Sequence, residues 1–414
     1  MFASMRRPKR ILLLAVAALL ALALLYIGAL AAFRGPVTAF RILTSLKPGL
    51  STWRIFPQRE VMNAAPVSSL EKAEGKSIPD AVAYEYRRRT RTEGLADLLA
   101  RTDTKAFIVI QDDKVLYEAY PDGASRDAVY TSFSIAKSIM SALVGIAIGE
   151  GKIGGVGDEV VKYLPELRGR GLDSLTIRDI LTMSSGIPFR VSDEGISLLD
   201  LPFLAFGEDA RQFYSTDLRA DALSLRAGDE PVGAYFRYDD WHAILEGMIL
   251  ERATGGSISS YLQEKLWKPA GMEYPASYGL DSAKDGFEKV NASFNARAID
   301  FARFGLVFLH RGLWNGRRIL SETWVDESTS PDPGDRRPWK VYKGWKNRGG
   351  YYKYHWWGLV NPDGSYDYVA RGARGQTLYI SPTRNAVVLR LGGDPDPYVI
   401  WPFVARSLLS SLPR

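Results

Sequence analysis

The residues best suited to chemistry are a serine and a lysine three positions apart, Ser134 and Lys137. Residues at this spacing share one face of a helix, so the Lys137 amine can reach the Ser134 hydroxyl. A lysine in apolar surroundings has a lowered pKa, and in its neutral form it can accept the serine proton. The amino end of a helix adds backbone N–H groups that stabilise an oxyanion. The pair therefore predicts a serine nucleophile that is activated without histidine.

The segment after Ser134 distinguishes it from other serines. Apolar residues recur at helical spacing as far as Gly149, on almost every face, which predicts a buried helix that starts at the serine. The same spacing occurs at Ser69 and Lys72, but that pair lies among charged residues and no apolar run follows it. Taken alone, Ser134 could also be only the N-cap of the helix.

A tyrosine and two aspartates precede a second predicted helix, Trp241–Thr254. A phenol at a helix start can carry a proton between serine, lysine and a leaving group, so Tyr238 is a candidate acid and base. The alternative is a tyrosine packed in the core. Asp240 either contacts a substrate or caps the helix.

A glycine-containing segment lies between two predicted strands near the carboxyl end of the chain. Residues 370–376 read Ala-Arg-Gly-Ala-Arg-Gly-Gln. Glycine at Gly372 lets a substrate approach the backbone, and an N–H group at this strand edge can complete an oxyanion hole.

Other catalytic classes lack their residues. The chain has no cysteine, which excludes cysteine nucleophiles and iron–sulfur clusters. His242, His310 and His355 are far apart in the sequence and form no zinc motif, so each is expected to be an ordinary core or surface residue. There is no Gly-x-Ser-x-Gly motif either. We predict neither a metal nor a cofactor.

Composition and charge indicate a folded protein without a nucleic-acid surface. The chain has 414 residues, is 46% hydrophobic and 12% aromatic, and carries a formal net charge of +6. These values are globular and argue against disorder. The arginines from Arg87 to Arg91 are expected on a solvated helix face, and no basic stripe interleaved with aromatic residues follows them.

The amino-terminal segment predicts a membrane anchor. Residues 11–33 are apolar and uncharged, and four positive residues stand before them within residues 1–10. A helix of this length spans about 35 Å, enough for a hydrocarbon core of about 30 Å. The positive-inside rule places residues 1–10 in the cytoplasm, which gives a single-pass protein of the inner (cytoplasmic) membrane with an extracytoplasmic, periplasmic domain. The alternative is a signal cleaved after Ala29–Ala31, which would give a secreted protein.

Strand patterns at both ends of the remaining chain enclose a helix-rich segment. Residues 34–94 are expected to form a tether and a first packing segment, and residues 95–414 a single domain with a helical insertion at about 155–320. The predicted strands are Ala106–Ile110, Val115–Tyr120, Tyr366–Ala370, Thr377–Ile380 and Ala386–Leu391, and a final helix is predicted over Val399–Leu412. One sheet assembled from the two ends is the economical arrangement.

The order of a serine–lysine pair, a tyrosine before a helix and a glycine-containing strand resembles the serine β-lactamase and penicillin-binding-protein superfamily. It is most similar to the class C β-lactamase-related branch, which includes esterases and 6-aminohexanoate-dimer hydrolase. The resemblance extends from about residue 95 to the carboxyl terminus. It implies an α/β (α+β) fold in which helices flank a mostly antiparallel sheet and a helical subdomain is inserted.

The same resemblance implies roles for individual residues. Ser134 would be the acylated nucleophile, Lys137 its base and Tyr238 the proton carrier to the leaving group. The backbone N–H groups of Ser134 and Ala373 would form the oxyanion hole. Further substrate contacts would come from Asp240, Gly372, Arg374 and Gln376.

Two departures from the family pattern bear on the substrate. Asp240 occupies a position where asparagine is usual, and Ala370-Arg371-Gly372 stands where the family has Lys-Thr-Gly. The missing lysine favours a small-molecule ester or linear amide as substrate. The alternatives are a β-lactamase or a D-Ala-D-Ala carboxypeptidase, in which Arg371 or Arg374 replaces the lysine, and a non-catalytic binding module on the same fold.

Overall fold

The computed structural model describes residues 6–45, 47–75, 78–188, 205, 207–393, 396 and 398–413. The chain divides into two compact units. The first unit is formed by Met1–Gly49 and Ser192–Thr216, and the second by Leu50–Val191 and Asp217–Arg414.

The described part of the first unit is helical. It contains α1 (Arg6–Arg34), α2 (Pro36–Thr44) and α7 (Glu208–Tyr214). Within α1, the stretch Ile11–Arg34 contains an exposed 18-residue window with a mean hydropathy of 2.8, and among the described residues α1 is the one helix whose length and composition suit a membrane span. The predicted apolar segment is therefore a continuous helix. Residues 1–5 of the predicted basic segment lie outside the described residues.

A seven-stranded antiparallel sheet organises the second unit. Its strands are β4 (Thr104–Gln111), β5 (Lys114–Ala119), β11 (Gly350–Lys353), β12 (Trp356–Val360), β13 (Tyr366–Gly372), β14 (Gln376–Ser381) and β15 (Ala386–Gly392). They follow the order β11–β12–β13–β14–β15–β4–β5. Because β15 pairs with β4, both ends of the domain contribute to one sheet, which confirms the prediction.

Period-two alternation supplies an apolar surface on each face of this sheet. Along β4, Ile108 and Ile110 belong to one buried cluster, whereas Phe107 and Val109 belong to another. The first cluster includes α4 (Ile135–Gly149) and α11 (Ala298–Leu309), and the second includes α14 (Trp401–Ser411). The predicted burial of α4 is confirmed, since nearly all of its residues are inaccessible to solvent.

Shorter elements complete the second unit. A four-stranded antiparallel sheet has the order β1 (Gln58–Val61), β7 (Ala276–Gly279), β8 (Phe294–Arg297) and β6 (Val129–Thr131), and β9 (Leu313–Trp314) pairs with β10 (Arg317–Arg318). The remaining helices are α3 (Leu95–Arg101), α5 (Val160–Tyr163), α6 (Ile177–Leu181), α8 (Leu218–Leu223), α9 (Asp240–Thr254), α10 (Ile258–Leu262), α12 (Glu322–Thr329) and α13 (Lys343–Lys346). Together with the large sheet, they form the mixed α/β fold with antiparallel sheets that was predicted.

The helix expected at the arginine cluster is wrong. Residues in this region form a hairpin of β2 (Ala81–Tyr86) and β3 (Arg89–Gly94). Arg87 and Arg88 are its turn, with φ of 51° and 64°. Burial alternates along β2, where Val82 and Tyr84 are covered and their neighbours are exposed, so the period is that of a strand.

Candidate active site

Ser134 lies at the amino end of α4, where the chain turns out of β6. Phe133 adopts φ of 44°, a left-handed conformation that a bulky residue keeps only where the surrounding structure enforces it. The preceding Ser132 N–H donates to the Phe294 carbonyl at 2.8 Å, which ties the turn to β8. Ser134 is half-buried, whereas the helix after it is buried. Its hydroxyl is therefore presented at the edge of a rigid core.

Lys137 lies one helical turn further along and is only 1% exposed. Its Nζ donates to Ser134 Oγ at 3.0 Å and to the Asn291 carbonyl at 2.8 Å. It also forms an ion pair with Asp240 Oδ1 at 2.6 Å. The predicted contact between serine and lysine is present, and the ammonium has three oxygen partners.

The expected lowering of the lysine pKa is wrong. Burial is the largest single effect and lowers the pKa of Lys137, but the Asp240 carboxylate and Tyr238 together raise it by more, so the pKa lies above its usual range. The sequence suggested apolar surroundings because α4 is apolar, whereas the carboxylate comes from another helix. Lys137 is therefore an ammonium at neutral pH.

Asp240 is the first residue of α9, and its neighbour caps the helix. Asp239 Oδ1 accepts from the Trp241 N–H at 2.9 Å, so the alternative in which Asp240 is the cap is wrong. The second oxygen of Asp240 accepts from Asn291 Nδ2 at 2.9 Å. Asn291, in the segment between β7 and β8, thus holds both members of the ion pair. Sequence reasoning missed it because no motif marks a single asparagine.

Tyr238 precedes α9 and packs within a group of aromatic rings. Its ring contacts Tyr342 and Tyr352 edge to face, with centroids 5.8 and 6.0 Å apart, and lies 5.6 Å from Trp357. Lys137 Nζ lies 5.1 Å from the centre of the Tyr238 ring. Tyr238 is half-buried and packs against the second buried cluster.

A cleft of about 290 Å³ brings these groups together with the strand edge. Its lining includes Ser134, Tyr238, Tyr342, Trp357, Arg371, Gly372, Ala373, Arg374, Gln376 and Trp401. The serine, the tyrosine and the glycine-containing segment, which are far apart in the sequence, therefore face one space.

Gly372 is required by a close approach between this strand edge and the turn before Ser134. A Cβ atom at this position would lie 2.4 Å from the Ser132 carbonyl oxygen and 3.1 Å from Phe133 Cβ. Glycine lets the end of β13 pack against the residues before Ser134. Ala373, the next residue, consequently faces the same cleft as Ser134.

A sequence profile of the β-lactamase family matches residues 91–396, which is most of the chain. The chain belongs to the β-lactamase family. As a member of this family, it is a serine hydrolase.

Individual relatives agree with this assignment. The chain is 27% identical over 360 residues to 6-aminohexanoate-dimer hydrolase of Paenarthrobacter ureafaciens, covering 85% of this chain and 89% of that protein. A Bacillus anthracis structure provisionally assigned as a 6-aminohexanoate-dimer hydrolase superposes with a TM-score of 0.73 at 21% identity, over 87% of this chain and 92% of the other. A class C β-lactamase has a TM-score of 0.56 at 14% identity, covering 77% and 94% of the two chains. The two structural likenesses establish the fold.

The remaining predicted contacts of this β-lactamase-family protein differ in their surroundings. Arg371 lies on the cleft with its guanidinium 4.8 Å from the Trp345 ring and 5.1 Å from the Trp357 ring. Arg374 lines the cleft, and its carbonyl accepts from Arg390 at 2.7 Å. Gln376 is 1% exposed, and its amide exchanges hydrogen bonds with the Gly392 backbone at 2.9 and 3.1 Å. The Gln376 amide therefore joins β14 to β15.

The ion pair of this family member gives a prediction for Asp240→Asn. With Asp240 present, Lys137 stays charged between about pH 6 and 9, so its titration adds no limb to the pH dependence of kcat/KM there. Without the carboxylate, burial lowers the pKa of Lys137. We expect a new limb in which hydrolysis by the variant increases as pH rises through the lowered pKa.

The matched control for this measurement is Asp217→Asn, because Asp217 caps α8 and asparagine caps equally well. It should keep the wild-type profile. Superimposable profiles for Asp240→Asn and the wild type would show that Asp240 does not set the charge of Lys137.

Proposed function

We propose that this chain hydrolyses an ester or a linear amide through an acyl-enzyme on Ser134. The observation that carries the proposal is the 3.0 Å contact between Ser134 Oγ and Lys137 Nζ at the start of a buried helix, beside a cleft that Tyr238 also lines. In the proposal Ser134 is the nucleophile, and Lys137 becomes its base after giving a proton to Asp240.

In the proposed acylation step, Lys137 first transfers a proton to Asp240. Their atoms are 2.6 Å apart, so the neutral amine forms without a large movement. The amine then takes the Ser134 proton, and the serine oxygen attacks the substrate carbonyl. A new C–O bond forms while the carbonyl π electrons move to oxygen, which the Ser134 and Ala373 N–H groups stabilise.

Collapse of the tetrahedral intermediate breaks the bond to the leaving group. Tyr238 gives its proton to the leaving oxygen or nitrogen and recovers one from the Lys137 ammonium. The neutral Lys137 amine that results is then reprotonated by Asp240. The groups return to their starting charges. Water attacks the acyl-enzyme by the reverse sequence of proton transfers.

The cleft lining favours a substrate with an apolar or aromatic part. Trp357, Tyr342 and Trp401 supply apolar walls. The relative from Paenarthrobacter is named for a dimer of 6-aminohexanoate, which is joined by an amide, and this supports amide as well as ester cleavage. The strand edge carries no lysine corresponding to the usual Lys-Thr-Gly, which argues against dependence on a substrate carboxylate.

We also propose that residues 11–33 anchor the enzyme in the inner membrane with its catalytic domain outside the cytoplasm. Support comes from the apolar helix and from the positive residues before it. In this proposal residues 34–94 connect the anchor to the hydrolase domain, residues 95–414.

Replacing the nucleophile tests the reaction directly. Ser134→Ala should lower kcat for ester hydrolysis on the order of 10⁴-fold or more, because it removes the proposed nucleophile. Circular dichroism should be unchanged. Retention of more than about a tenth of the wild-type rate by a folded variant would refute the assignment.

Three substrates compared on one preparation test the substrate class. We expect p-nitrophenyl butyrate to be cleaved at least tenfold better, by kcat/KM, than nitrocefin or a D-Ala-D-Ala peptide. A charged hydrogen bond to a substrate carboxylate contributes about 1.5–3 kcal/mol, or about one to two decades, and a simple ester does not need it. Preference for either carboxylate substrate would show that Arg371 or Arg374 replaces the lysine.

The topology is tested by adding protease to intact spheroplasts of a bacterial host that expresses the full chain. The catalytic domain should be digested while a cytoplasmic marker protein is protected, because the positive residues hold the amino terminus inside. A domain that is protected until lysis would contradict the orientation. A mature amino terminus at Ala32 would identify a cleaved signal instead.

A further inference from the structure

A buried carboxylate, imidazole and phenol form a chain of hydrogen bonds behind the cleft. Both carboxylate oxygens of Glu246 lie 2.8 Å from His355 Nε2. His355 Nδ1 lies 2.9 Å from the Tyr352 hydroxyl. The side chains of Glu246 and His355 are inaccessible to solvent, and Tyr352 is 4% exposed. An unpaired carboxylate at such a position would be strongly destabilising, so the three groups depend on one another.

This hydrogen-bonded chain connects to the elements that hold the catalytic groups. Glu246 belongs to α9, the helix that begins at Asp240. The His355 carbonyl accepts from Ser138 Oγ at 2.8 Å, and Ser138 follows Lys137 on α4. At the other end, the Tyr352 ring meets the Tyr238 ring edge to face with centroids 6.0 Å apart.

The backbone that carries the imidazole is strained. Tyr354 and His355 form the two-residue turn between β11 and β12, with φ of 42° and 66°. Two-residue hairpin turns of this kind favour asparagine and glycine, and they normally face solvent. Here both residues are bulky and buried. Such conformations persist where the surrounding structure enforces them, and they concentrate at functional sites.

The chemistry of these three hydrogen-bonded side chains favours a role in positioning rather than in proton transfer. Because Nε2 faces the Glu246 carboxylate, it carries a hydrogen whichever charge the imidazole has. Burial raises the pKa of Tyr352 well above its ordinary value, so the phenol keeps its proton and is not a base. What the network supplies is a fixed orientation for the Tyr352 ring, against which Tyr238 rests.

We propose that Glu246, His355 and Tyr352 form a positioning network that directs the Tyr238 hydroxyl toward the leaving group. The inference rests on the proposed function, in which Tyr238 delivers the proton that the leaving group needs. It assigns the strained buried turn to proton delivery and leaves nucleophile activation to Lys137 and Asp240.

Tyr352→Phe tests this in the detergent-solubilised full chain, because it keeps the ring and removes only the hydroxyl that binds His355. The substrates are p-nitrophenyl butyrate and ethyl butyrate, which form the same acyl-enzyme but differ in their need for a proton on the leaving oxygen. We expect kcat/KM for ethyl butyrate to fall at least tenfold more than kcat/KM for p-nitrophenyl butyrate. Proton delivery contributes about 10²–10⁴-fold, so partial misdirection is measurable.

Tyr351→Phe is the matched control. Tyr351 is the neighbouring residue on β11, points to the opposite face, and donates its hydroxyl to the Thr329 carbonyl. It should leave the ratio of the two substrates unchanged. Labelling with a fluorophosphonate measures the concentration of reactive Ser134 in each preparation, so the rates can be corrected for any loss of folded enzyme. Such a loss would also lower the rates for both substrates by the same factor.

Three other outcomes can be distinguished. If the wild type labels and hydrolyses both esters but Tyr352→Phe changes them by the same factor, the network has only a structural role and the inference is overturned. If the wild type neither labels at Ser134 nor hydrolyses either ester, the proposed function itself fails. A raised KM with unchanged kcat for ethyl butyrate would likewise overturn the inference, because it would indicate substrate binding rather than proton delivery.

Discussion

The active site depends on one buried ion pair, between the Lys137 ammonium and the Asp240 carboxylate. An ammonium that is 1% exposed is stable only when oxygen atoms replace its water. Those oxygens come from three separate parts of the chain: Ser134 on the same helix, Asp240 at the start of α9, and the Asn291 carbonyl between β7 and β8. The contacts of the Lys137 ammonium therefore hold these three segments together, and they hold the Ser134 hydroxyl in place.

The large sheet brings the glycine-containing strand edge, which includes Gly372 and Ala373, to the same cleft. β13 is positioned by antiparallel neighbours on both sides, and its last residue, Gly372, packs against the turn before Ser134. The Gln376 amide then secures the adjoining strand by binding the Gly392 backbone. Because β15 pairs with β4, strands β11–β15 and the hairpin of β4 and β5 support one rigid edge. The geometry of the cleft is thus a property of the whole sheet rather than of a loop.

Family membership and chemistry are separate conclusions for this protein. The fold of the β-lactamase family accommodates different substrates, and the site decides among them. Here Asp240, at the position where asparagine is usual, adds a negative charge beside Lys137. The Tyr238 ring contacts Tyr352, which is hydrogen-bonded to the buried pair of His355 and Glu246. In the proposed mechanism both features act on proton transfer, which is where ester and amide cleavage make different demands on an enzyme.

The sequence by itself determined what depends on residues close together in the chain. Helical periodicity located α4, β-like runs separated by turn residues located the strands, and a spacing of three placed the Lys137 amine beside the Ser134 hydroxyl. Resemblance to a family, rather than local physics, joined Tyr238 and the segment from Gly372 to Gln376 to that pair. Only the tertiary structure decided the charge of Lys137, because the carboxylate that holds it as an ammonium lies more than 100 residues away in sequence and meets it through packing of α4 against α9. The roles of Asn291 and His355 were hidden for the same reason, since a lone polar residue acquires its partners only when distant segments are brought together.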